Sequence, residues 1–144
     1  MAERNYRRLD LAKEQLDTAI ELFLDEKKFS SAITLAGAAE EIFGQALTNK
    51  GGKSALHDSY ESMADLHRGI HGEELKKEYF SKENLARDAL KHLQNQEGAN
   101  ITLDLEEAAC WMLVRAIHNA RELGFLFERQ ADFENWFYEN IVGY

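Results

Sequence analysis

The sequence predicts an all-α fold: a four-helix-bundle core with one or two short additional helices. Three observations carry this. Apolar residues recur at three- and four-residue steps through almost the whole of the 144 residues. No stretch alternates apolar and polar residues long enough to make a useful strand. There is no proline, and most of the nine glycines stand singly between the periodic segments. A hydrophobic fraction of 44% with 10% aromatic residues suffices for a packed core. The length is that of one domain, covering 1–144, with a core over about 5–125 and a C-terminal aromatic helix over about 129–141.

The first helix is predicted over 5–27, where Leu9, Ala12, Leu16, Ala19, Ile20 and Phe23 form one stripe. Leu11 and Leu22 fall off it as exposed leucines or as a minor second contact. Ser30 or Ser31 is placed to cap a second helix that Gly51-Gly52 stops. Its run Leu35-Ala36-Gly37-Ala38-Ala39 is small enough to let a neighbour approach closely, which marks the central helix. Glu40 projects between Leu47 and Ile33 on that helix. It is either a rim carboxylate reaching water past Gly37 and Gly44 or a polar anchor in the core for a basic group on another helix.

Ser54 starts a third helix to about Arg68, which carries His67; His71 lies four residues on, a spacing that can hold a metal on one helix but with no acidic or cysteine cluster around it. Ser81 is placed to cap a further helix, with Leu85, Ala86, Ala89 and Leu93 facing inward. Thr102 is placed to cap a long helix over about 103–123 that ends at Gly124. Its core face includes Ala109, Met112, Leu113, Ala116 and Ala120, and its opposite face carries Trp111, Arg115, His118 and Glu122. A tryptophan on an outer face points to an interface or to a covering segment. The last segment, with Phe133, Trp136, Phe137 and Ile141 on one side, suits that cover.

Charge and composition narrow the function. A formal charge of −9 repels phosphate backbones at long range, so nucleic-acid chemistry needs a local basic patch. The single cysteine, Cys110, reads as a small buried hydrophobe in an intracellular chain. Met1 to Tyr6 has no apolar signal core, and the apolar runs are too short to cross a membrane, so a cytoplasmic protein without membrane contact is expected. Phosphate-loop, dinucleotide-glycine, His-Glu-x-x-His, Glu-x-x-His, Gly-x-Ser-x-Gly and cysteine–histidine zinc patterns are all missing, and no cofactor or metal is called for.

What remains is Arg87-Asp88-Ala89-Leu90-Lys91-His92. Asp88 and His92 are four apart, the spacing at which a carboxylate can hold an imidazole in place. Arg87 and Lys91 make an adjacent basic edge, with Lys82, Lys76 and Lys77 just upstream as possible phosphate contacts. Such a set matches metal-free RNA cleavage, which needs a base for the 2′-hydroxyl, an acid for the leaving 5′-oxygen and a cation for the charged phosphorane. One histidine cannot be base and acid at once; two copies meeting at a two-fold axis can. The same residues also suit an ordinary solvated helix face.

The motif resembles the arginine–x4–histidine motif of HEPN domains, including the polar residue after the arginine. The setting resembles them too: the small-residue helix Leu35-Ala36-Gly37-Ala38-Ala39-Glu40-Glu41-Ile42 precedes the motif, and the long helix through Arg115-Ala116-Ile117-His118-Asn119 follows it. The likeness covers about residues 6–125. It implies a bundle that often dimerises with the motifs near the two-fold axis. It also implies a metal-independent endoribonuclease of the toxin, defence or RNA-processing kind, with Arg87 and His92 catalytic and Asp88 supporting. HEPN-like domains also serve as non-catalytic dimerisation or protein-interaction modules, so the implied partners are a second copy, RNA, and an antitoxin or a separate nucleotidyltransferase-type protein.

Overall fold

The computed structural model describes residues 1–66, 81–93 and 98–143, with the backbone alone at 63–66. The fold is all-α, and no strand occurs among the described residues. Helix α1 (Arg8–Glu21) runs into a wider π-type turn (Leu22–Glu26). Helices α2 (Phe29–Asn49), α3 (Ala55–Leu66), α4 (Leu85–Lys91), α5 (Leu105–Glu122) and α6 (Gln130–Phe137) follow, the last continuing into a second π-type turn (Tyr138–Val142). The two calls at 67–80, namely His67 with His71 and the connection holding Lys76 and Lys77, lie outside the described residues. Among the described residues no helix is long and apolar enough to cross a membrane.

Helix α2 is central. It packs most extensively on α5, then on α1, and α4 lies along it as well, whereas α3 packs on α5. Ala12, Leu16, Ala19 and Ile20 of α1 meet Ala32, Ile33, Ala36, Ala39 and Phe43 of α2 and Ala109, Leu113, Ala116 and Ala120 of α5 in one buried cluster. Eight of these thirteen side chains are alanine, so the helices approach closely and the larger groups interlock between them. Leu22 packs against this cluster and Leu11 stays exposed.

The helix ends show which local signals hold. Helix α2 closes with a Schellman turn: Gly51 takes φ +82°, its N–H donates to the Thr48 carbonyl at 3.0 Å, and the Gly52 N–H reaches the Leu47 carbonyl at 2.9 Å. Helix α5 ends the same way at Gly124, φ +86°. Ser54 caps α3, accepting from the His57 N–H at 3.3 Å. Other caps differ from expectation. Lys27 is left-handed at φ 54°, which turns the chain early enough for α2 to begin at Phe29, so Ser30 and Ser31 lie inside its first turn. Asp104, not Thr102, caps α5, its carboxylate accepting from the Glu107 N–H at 2.9 Å. The residue before α4 is Asn84, not Ser81, and its side chain makes no cap.

The C-terminal aromatic segment folds back over the bundle. Phe133 and Trp136 close on Phe23 at 5.6 and 4.6 Å between ring centroids. Phe137 meets Trp111 edge-on at 5.6 Å. Trp111 nevertheless stays 45% exposed, so the cover is partial.

Candidate functional site

The polar centre of the molecule is built on one line of α2: Gly37, Glu40 and Gly44. Each glycine makes room for a polar side chain from elsewhere. A Cβ on Gly37 would lie 2.7 and 2.9 Å from Cδ and Cγ of Arg87, and one on Gly44 would lie 3.2 Å from Nδ2 of Asn119. Glu40 sits between them, 4% exposed.

Two guanidiniums converge on the Glu40 carboxylate. Arg115 Nη2 donates to Oε1 at 3.0 Å, and Arg87 Nη1 lies 3.6 Å from Oε2. Glu40 is therefore the buried carboxylate to which basic groups from α4 and α5 are tied. Arg115 also donates to the Glu83 carbonyl at 3.1 Å and to Asn84 Oδ1 at 2.9 Å, binding the entry of α4 to α5. Its Nε–H is buried without a partner among the described residues. Asn119, fully buried, donates to the Glu40 carbonyl at 3.2 Å and accepts the Ala55 N–H at 2.8 Å, which fixes the start of α3.

Arg87 is thus an inward residue. It is 9% exposed, and besides Glu40 it meets Glu41 at 3.4 Å and Asp88 at 3.3 Å. Leu85 and Leu93, expected to face the core, are exposed, because Arg87 and the half-buried Leu90 take the side against α2.

Helix α4 stops at Lys91. His92 is its C-cap in extended backbone (φ −129°, ψ 133°), and its N–H still donates to the Asp88 carbonyl at 3.0 Å. The imidazole is exposed and, among the described residues, has no hydrogen-bond or ion-pair partner. It does not border the apolar core. Asp88 and His92 together line a cleft of about 610 Å³, with Ser81, Leu85, Asn100 and Ile101. Arg87 is not among the lining side chains, and Lys82 and Lys91 stand exposed nearby in sequence. So the cleft joins the acid–base half of the motif, while its arginine belongs to the buried network.

A second cleft, of about 300 Å³, opens between α3 and α5. Trp111, Val114 and Ala55 supply apolar walls; Asp58, Ser59 and His118 supply polar ones. His118 Nε2 lies 4.0 Å from Asp58 Oδ2.

Sequence reading missed Arg115 and Asn119. Helical spacing puts Arg115 on the outer face with Trp111 and His118, whereas its side chain is buried against Glu40. Asn119 follows Met112 and Ala116 at helical spacing, so its place on the core stripe was a usable signal. Cys110 is fully buried, and desolvation, aided by Glu107 and Glu106, pushes its thiol up to about 12. No protein-family model matches the chain, and no curated protein sequence or solved structure shows significant similarity to it.

Proposed function

We propose that this chain is an HEPN-like protein that cleaves RNA without metal as a homodimer, through the cleft in which Asp88 and His92 stand. The observation that carries the reading is the exposed His92 imidazole, unpartnered among the described residues, beside Asp88 in a cleft large enough for a nucleotide. In the reaction one imidazole takes the 2′-hydroxyl proton, O2′ attacks phosphorus, and the 5′-oxygen leaves with a proton from the second copy's His92. Asp88 orients the imidazole. Arg87, held by Glu40, acts as the tie that sets α4 in place, and Lys91 or Lys82 supplies the cation near the phosphate.

A second reading, a non-catalytic association module, is favoured by the enclosure of Arg87 among three carboxylates and by the exposed Leu85, Leu93 and Ile101 around the cleft. One experiment separates the two. The full-length protein is incubated with single-stranded RNA in the presence of a chelator, and its mass is measured in solution. Cleavage with cyclic-phosphate ends, reduced at least about a hundredfold by His92→Ala with the dimer mass kept, supports the first reading. A stable complex without cleavage, broken by Leu93→Asp and indifferent to His92→Ala, supports the second.

A further inference from the structure

The cleft between α3 and α5 is not used by the reading above. Its chemistry is mixed in a particular way. Trp111 offers a broad ring surface, and Phe137 meets the indole edge-on at 5.6 Å and 84°. Val114 and Ala55 extend the apolar wall. Around them stand Asp58, Ser59 and His118, groups that hydrogen-bond in the plane of a flat ligand. The 4.0 Å between His118 and Asp58 is too long for a hydrogen bond, so the Asp58 oxygens keep capacity for one. A volume of about 300 Å³ is at the small end for ligand sites and admits one ring system, not a chain.

We infer that this cleft is a pocket for one unstacked nucleobase, guanine in preference to uracil. Unpaired RNA bases are recognised by stacking on aromatic side chains and by hydrogen bonds to their edges. An ionised carboxylate accepts only, so it selects an edge with adjacent donors. Guanine presents N1–H and N2–H₂ side by side, matched to the two Asp58 oxygens. Uracil has one N–H flanked by two carbonyls, which Asp58 repels. The polar rim sets this occupant apart from an aromatic side chain of a protein partner, which has no such edge. Glu83 and Arg115 complete the cleft wall, with Arg115 engaged by Glu40, Asn84 and the Glu83 carbonyl, and the small volume leaves the sugar and backbone outside.

The inference rests on the RNA-directed reading, and its test is independent of cleavage. The chain has two tryptophans, so two indole N–H signals report in a nitrogen-15 NMR titration of the full-length protein. The probes are the four nucleoside 5′-monophosphates. Guanosine monophosphate should shift the Trp111 signal and leave that of Trp136 in place; uridine monophosphate should not. Asp58→Asn, at an exposed position that leaves folding intact, should weaken guanosine monophosphate binding about tenfold. An unmoved Trp111 signal overturns the inference, as do equal responses to all four bases or an equal response to N-acetyl-tryptophanamide. If His92→Ala blocks RNA cleavage while Trp111 ignores guanosine monophosphate, the pocket alone fails. If the pocket binds guanine and no RNA is cut, the pocket stands and the cleavage reading falls.

Discussion

Glu40 and Glu41 are adjacent carboxylates with opposite circumstances. Glu40 is buried between two guanidiniums; Glu41 is half exposed beside one of them. Replacing Glu40 by alanine leaves Arg115, among the described residues, with only neutral acceptors, the Glu83 carbonyl and Asn84, at a largely buried position. The expected cost is about 3–5 kcal/mol, because a buried charge loses its counter-charge. Glu41→Ala removes a screened contact that Glu40 and Asp88 back up, and should cost under about 1 kcal/mol. Urea unfolding of the two variants checks the contrast; equal losses would mean that Glu40 is not the anchor. Cys110 gives a second prediction at this scale. Its thiol ionises at about 12 when folded against an ordinary value of 9.0. Between those values the native chain keeps a proton that the unfolded chain has released. Stability from this group is therefore complete below pH 9 and falls as pH rises through the window, by about 1.4 kcal/mol per unit at most. Wild type should lose more stability than Cys110→Ala across that window, and a thiol reagent at neutral pH should label Cys110 only after unfolding.

At the scale of elements, Asn119 is the joint between α5, α2 and α3. It is fully buried, and both ends of its amide are used, one on the Glu40 carbonyl and one on the Ala55 N–H. Asn119→Ala takes the acceptor from the Ala55 N–H and removes a second donor from the Glu40 carbonyl, which keeps its place in the α2 ladder, a loss of about 1–3 kcal/mol. Because α3 packs chiefly on α5 among the described elements, the loss should fall on α3 first. Amide exchange at α3 should quicken well beyond that of α1, and uniform quickening would contradict the joint. The limits of the sequence show here as well. Helices α1, α2 and α5 were legible because each carries a long apolar stripe, and their glycine stops were legible because only glycine suits the left-handed residue of a Schellman turn. Glu40 stood out against apolar neighbours. Its partners did not, since ion pairs across 47 and 75 residues of chain depend on how helices sit, which no local pattern encodes. The site was half legible for the same reason. The spacing of Asp88 and His92 brought both to one cleft, whereas periodicity alone ran α4 past His92 and turned Leu93 inward.

At the scale of the whole molecule, the net charge of −9 has to be reconciled with an RNA substrate. The guanidiniums of Arg87 and Arg115 are consumed internally by Glu40 and its neighbours. That leaves Lys82 and Lys91 as the exposed cations belonging to the described part of the motif region. If these two alone meet phosphates, about two counterions are released on binding a single strand. The logarithm of the binding constant should then fall with the logarithm of salt at a slope of about −1.4. Raising salt fourfold from about 50 to 200 mM would weaken binding only about sevenfold. Repulsion between the acidic body and the RNA makes the dependence shallower still, because salt screens that term in the favourable direction. Binding of a short single-stranded RNA to His92→Ala protein, followed across that range, measures the slope without cleavage. Double replacement of Lys82 and Lys91 by glutamine should bring it to zero or reverse its sign. A slope several units steeper would mean that a larger basic surface meets the RNA, and the cleft beside His92 would lose its claim to be where the backbone lies.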